Sequence, residues 1–231
     1  METKKLRQRI LEVAYRDQMG HIPSALSILD IVWNLYDKVM TKDDQFILSK
    51  GHGVMALYAV LEAKGLLDWS TKLMGHPKRG GAILASTGSL GHGLPMTVGL
   101  ALAKKIKGEP GRVFCLIGDG EANEGTVWES ALLAAHHKLD NLVVIIDNNR
   151  SSRRALNLGR LSDKLYAFNW SAWDIYGHRS DEIIKACTTV SDKPMCVVAH
   201  TTKGHGVDMM ENDNSWHNRK LTLQEYETAI S

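Results

Sequence analysis

The 231-residue sequence predicts an α/β fold in a single domain covering residues 1–231, built on a central, mostly parallel sheet with helices on both faces. Short apolar, β-favouring runs stand at "RVFCLIG" (112–118), "NLVVIID" (141–147) and "MCVVAH" (195–200). Helical segments at about 123–139 and 180–190 separate them. Unbroken apolar strands that alternate with helices belong to parallel sheets, because such sheets are covered on both sides. A hydrophobic content of 44% gives a chain of this length a sizeable core.

Taken from the N-terminus, Leu6, Ile10, Val13 and Ala14 recur at spacings of three and four and mark an amphipathic helix over 4–17. A second helix is expected to begin near Ser24 or Ser27, residues suited to a helix start. A third covers "GVMALYAVLEAKG" and stops at Gly65, as helices often stop at glycine. A fourth runs through "LPMTVGLALAKKIKG", where the lysines gather at the C-terminal end and suit the helix dipole. The first half is thus expected to be mostly helical. The strand and helix pairs named above follow, and "TLQEYETAIS" closes the sequence as a helix. The stretches 68–93, 150–165 and 201–219 are Gly-rich or polar loops able to line a site.

The charge balance is nearly even, 28 basic against 26 acidic residues for a net +2, which argues against nucleic acid as a partner. Cys115, Cys187 and Cys196 lie in apolar segments without CxxC spacing and read as buried thiols of a reducing compartment. The first residues carry scattered charges and no apolar core, and no later run approaches a membrane span, so the expectation is a cytoplasmic protein without a membrane partner.

The chemistry concentrates in "GDGEANEGTVWESALLAAHHKLDNLVVIIDNNR" (118–150). Asp119 and Asn149 fall at the carboxyl ends of adjacent or near-adjacent strands, the edge where open α/β sheets hold ligands. Asp offers an anionic oxygen, Asn a neutral one, and the flanking glycines admit a bulky anion. The helix beginning near Asn123 aims its N–H groups at the same place. Together these suggest a divalent metal bridging to a diphosphate. Taken alone, each end also reads as an ordinary Gly/Asp/Asn turn. The stretch lacks GxGxxG spacing, which argues against a dinucleotide site.

Taken whole, the stretch resembles the thiamine diphosphate motif, GDG followed by a helix, a strand and NN. The resemblance implies a thiamine diphosphate-binding fold in which Asp119, Asn149 and the carbonyl of Ser151 hold Mg2+ (or Ca2+) against the cofactor's diphosphate. "ILSKGHG" (47–53), "GHP" (75–77), "STGSLGHGLPMTVGLALA" (86–103) and "HTTKGHG" with "NDNSWHN" (200–218) are similar, in order, to the N-terminal half of the transketolase family. The likeness covers nearly the whole chain. It implies an active-site set of His21, His52, His76 and His217, with His52, Gly88, Leu90, Gly120, Glu124 and His217 touching the cofactor. "MGHIPSALSILDIV" departs from the family opening at Ile22 and Pro23, beside His21, which bears on substrate preference. His136, His137, His178, His200 and His205 read as structural, and His92 stands where the family often has Gln. Arg150, Arg153, Arg154 and Arg160 read as a solvated basic loop, with the sharper alternative that one meets an anionic substrate group.

Transketolases are about three times this length, and the resemblance assigns the activating glutamate and most sugar-phosphate contacts to a second, pyrimidine-binding domain. The expectation is therefore one half of a split transketolase that moves a two-carbon ketol unit between sugars or sugar phosphates. It would act with a separate C-terminal subunit carrying the pyrimidine domain, as an α2β2 heterotetramer with an apolar docking surface. The alternatives are the alpha subunit of a 2-oxo acid dehydrogenase, a deoxyxylulose phosphate synthase fragment, or a non-catalytic regulatory subunit.

Overall fold

The computed structural model describes residues 2–151 and 156–230. The described elements run α1 (Glu2–Arg16), α2 (Ile22–Leu26), α3 (Leu29–Asn34), β1 (Gln45–Leu48), α4 (Val54–Ala63), α5 (Gly93–Lys107), β2 (Val113–Gly118), α6 (Gly125–His136), β3 (Leu142–Asn148), α7 (Leu161–Ala167), β4 (Ser171–Tyr176), α8 (Ser180–Thr188), β5 (Met195–His200) and α9 (Leu223–Ile230). The strands form one sheet in the order β1-β2-β3-β5-β4, and every neighbouring pair is parallel.

Side-chain alternation along the strands separates two cores. Phe114, Leu116, Val143, Ile145, Val197 and Ala199 face one cluster with α1, α3, α4 and α8. Cys115, Ile117, Val144, Ile146, Cys196 and Val198 face the other with α5, α6 and α7. Every residue of β2 is buried, as a strand covered on both sides must be. All three cysteines are buried and unpaired, and no described helix is long and apolar enough to cross a membrane.

The expected helices and central strands are present with ends shifted by a few residues. Gly65 takes φ +70 after α4 and Gly108 φ +66 after α5, the left-handed caps that glycine adopts without steric cost. The helix expected near Ser24 begins at Ile22, because Pro23 enters the first turn, where its missing N–H goes unused. It then breaks into α2 and α3 and ends in a π turn, Leu35–Val39. The first half is not solely helical, for β1 pairs with β2 from Gln45↔Val113 to Leu48↔Leu116. β4 and α7 are likewise additional to the elements the sequence pattern predicts. Both β1 and β4 are sheet edges, and the "SAWDIY" of β4 carries Asp174 amid its apolar residues. The pairing with the adjacent strand, rather than the local pattern, makes them strands.

Candidate active site

Parallel strands bring their carboxyl ends to one edge, and the chemistry-bearing loops leave from there. Asp119 follows β2, Asn149 and Ser151 follow β3, Thr201 to Lys203 follow β5, and Lys50 and His52 lie in the turn after β1.

Asp119 and Asn149 are buried. Ser151 Oγ donates to Asp119 Oδ1 at 3.3 Å, and the Ser151 N–H donates to Asn149 Oδ1 at 3.1 Å. The Asn149 amide nitrogen is turned inward and donates to Asp147 Oδ2 at 3.0 Å. The oxygen-bearing groups from two adjacent strands are thus gathered within hydrogen-bond reach of one another. Nothing lies within 4 Å of where a Gly120 Cβ would stand, so the backbone beside Asp119 leaves open room. Hard oxygen donors of this kind suit Mg2+ or Ca2+.

The four histidines expected to act together do converge. His21 stacks on His52 with ring centroids 4.0 Å apart, His76 lies 5.1 Å from His52, and His217 lies 5.3 Å from His21. His21 is in the left-handed region at φ 61 just before α2, and its Nδ1–H donates to the His217 carbonyl at 2.9 Å. That bond leaves Nε2 of His21 as an acceptor. His217 Nδ1 accepts from Lys203 Nζ at 3.1 Å, so in the neutral ring Nε2 carries the proton. The cluster therefore offers both an acceptor, His21 Nε2, and a donor, His217 Nε2. Gly51 and Gly88 close around His76: a Cβ on either would come within 2.9 Å of its ring. Ile22, the departure beside His21, is fully buried and faces the core rather than the site.

Burial is the first cause lowering the pKa of His21, His52 and His217, and neighbouring imidazoles or lysines add to it. His52 falls to about 4. Because the unfolded chain binds these protons more readily than the folded one, stability present above pH 6.5 declines as pH falls toward 4. Thermal melts at pH 7.5 and pH 5 should give a lower midpoint at pH 5, and the His52→Gln variant should lose part of that difference. Equal midpoints for the wild type would contradict the lowered pKa values of His21, His52 and His217.

Leu90 is 40% exposed, and Glu124 is exposed at the N-cap of α6 beside Gly91. No sequence motif singles out Glu121, yet its buried carboxyl ties three loops by accepting from Ser49 Oγ (2.6 Å), Gly118 N (2.9 Å) and Gly91 N (3.0 Å). Lys203 is a second residue of the candidate site that sequence reasoning missed. Only 4% exposed, it lines a cavity of about 570 Å³ with Asn149, Arg150 and Ser151, and burial lowers its pKa. No carboxylate is among the described residues lining that cavity. A buried ammonium on such a wall favours an anionic ligand. Lysine is a common surface residue, so only its place in "HTTKGHG" could have flagged it.

His178 and His200 also line the cavity, with both ring nitrogens engaged. His178 bonds Asp30 at 2.9 Å and the Thr202 N–H at 2.8 Å, and His200 bonds Asp174 at 2.9 Å and Asn148 at 3.3 Å. The group Asp30, His178 and His205 has metal-like spacing, but His178 has no lone pair left to give. His92 is exposed at the start of α5, and His136 and His137 end α6. Arg160 is committed to Asp174 at 2.8 Å, Arg150 is exposed, and Arg153 and Arg154 lie outside the described residues.

Residues 3–229 match the family described as transketolase, thiamine diphosphate binding domain. The chain is 36% identical to an apulose-4-phosphate transketolase subunit of Phocaeicola vulgatus, over 100% of this chain and 92% of that one. It is 35% identical to 6-deoxy-6-sulfo-D-fructose transketolase subunit SqwG of Clostridium sp. strain MSTE9, over 98% and 92%. Among solved structures, transketolase from Campylobacter jejuni superposes with a TM-score of 0.87 at 26% identity, covering 99% of this chain and 41% of that one.

Proposed function

The chain belongs to the thiamine diphosphate-binding domain family of transketolases, and on that premise we propose that it is the N-terminal subunit of a split transketolase. It transfers a two-carbon ketol unit between sugars or sugar phosphates together with a second subunit that carries the pyrimidine-binding domain. Near full-length coverage of relatives named as transketolase subunits supports the split arrangement. The observation that carries the reading is the gathering of His21, His52, His76 and His217, joined through Lys203 to the cavity wall beside Asn149 and Ser151.

The cofactor is thiamine diphosphate, which when bound supplies the carbon centre that accepts the ketol unit. Asp119, Asn149 and the Ser151 carbonyl would hold Mg2+ or Ca2+, and Lys203, which lines the same cavity as Asn149 and Ser151, would help neutralise the diphosphate. Gly88, Leu90, Gly120 and Glu124 complete the assigned cofactor contacts. The imidazoles bind sugar hydroxyls and move protons: neutral rings at His21, His52 and His217 each hold a donor and an acceptor. An α2β2 assembly in the cytoplasm is part of the same proposal.

The test is a screen of the copurified complex with thiamine diphosphate, Mg2+, several ketose donors and aldose acceptors, neutral and phosphorylated. Products two carbons longer than the acceptor support the reading. Cofactor binding without transfer from any ketose would favour the non-catalytic role instead. In the active complex, His76→Ala should lower turnover on the order of a hundredfold with cofactor affinity nearly intact. Wild-type turnover in that variant would remove His76 from the reaction.

A further inference from the structure

Asp147 stands next to the last residue of β3 and is 0% exposed. Its Oδ1 accepts from Thr201 Oγ1. Its Oδ2 accepts from Lys50 Nζ, from Ser27 Oγ at 2.8 Å and from the Asn149 amide nitrogen at 3.0 Å. Lys50 in turn donates to the Ser24 carbonyl at 2.9 Å and to Ser27 Oγ at 2.8 Å, so its three protons are all used inside the protein. The buried pair therefore answers itself and has nothing left for a ligand.

The two ends of a carboxamide are nearly equal in size and opposite in chemistry. Only the oxygen has a lone pair for a cation, while the NH2 repels one. What decides which end faces a site is the group behind it. Behind Asn149 stands a carboxylate, which accepts and never donates. We propose that Asp147 is a positioning residue: it holds the Asn149 amide nitrogen inward and thereby keeps the amide oxygen turned toward the cation. Lys50 is its counter-ion, and Ser27 and Thr201 fix its plane. The inference deepens the metal set of the proposed transketolase reading and rests on it. The network reaches the α2–α3 junction through Ser27, the turn after β1 through Lys50 and the loop after β5 through Thr201. One buried carboxylate thus registers the metal ligand against the loops that carry His52 and Lys203.

The test uses the complex with its partner subunit, titrated calorimetrically with Mg2+ at saturating thiamine diphosphate, alongside turnover. In Asp147→Asn the side chain behind Asn149 gains a donor, so Asn149 can reverse. The Mg2+ concentration for half-saturation should rise about 10- to 100-fold, the usual effect of losing a second-layer partner. Turnover at saturating Mg2+ should stay within a few-fold of wild type, which a general loss of structure would not allow. The double variant Asp147→Asn/Asn149→Asp restores an oxygen in either orientation and keeps a carboxylate near Lys50. It should bring half-saturation back to within a few-fold of wild type, and it remains informative if the single variant fails to fold. A folded Asp147→Asn complex with wild-type Mg2+ dependence overturns the inference while leaving the function standing. So does a folded double variant whose metal binding stays weakened. A wild-type complex whose cofactor binding ignores Mg2+ overturns both.

Discussion

Assayed alone with thiamine diphosphate, Mg2+ and ketose phosphates, this chain should show no ketol transfer above background, and addition of the partner subunit should raise the rate by at least about a thousandfold. Enzymes accelerate their reactions by about a millionfold or more, so losing a whole catalytic element removes most of that factor. The family resemblance assigns the activating glutamate to a pyrimidine domain, and the described residues form one five-stranded sheet with its covering helices and no second sheet. The imidazole cluster is open: His217 is exposed, and His21 and His52 are half-buried. On the proposed reading, the second subunit would exclude water from those rings. Met96 on α5 is 42% exposed, and Leu132 and Leu133 on α6 are 54% and 48% exposed, apolar area available for docking. Robust transfer by the isolated chain would rule out the split arrangement.

The second large effect is expected from Asp119→Ala, which should weaken thiamine diphosphate binding in Mg2+ by about a hundredfold or more, the equivalent of about 2.7 kcal/mol. Asp119 supplies the only anionic oxygen of the assigned metal set, the other two donors being an amide and a peptide carbonyl. Removing it leaves a divalent cation held by neutral groups against a diphosphate, with the nearby Lys203 the chief remaining attraction. Calorimetry on the partnered complex, with and without Mg2+, separates the two contributions. In the variant, the residual affinity should hardly respond to the metal. Unchanged affinity and unchanged metal dependence would sink the assignment.

Much of this was legible along the chain because the determining forces are local or periodic. Apolar runs fixed β2, β3 and β5, and spacings of three and four fixed α1. The order of GDG, NN and the histidine motifs pointed to the family before any fold was known. β1 and β4 were not legible, since a four-residue edge strand and a polar-interrupted one become strands only by pairing with β2 and β5. Nor was the chemistry of the buried ions. Lys50, Asp147 and Lys203 are charged residues of ordinary type in the sequence, and only the folded chain takes them out of water. Likewise, Arg160 reads as one of four loop arginines until Asp174 is found to hold it. The sequence alone determined the central strands, the long helices and the family they serve. The tertiary structure alone decided how the imidazoles stack, which of their nitrogens donate, and which charges answer one another. Those properties depend on distance and burial between residues as far apart in the chain as Ser27 and Asp147, and no local pattern encodes them.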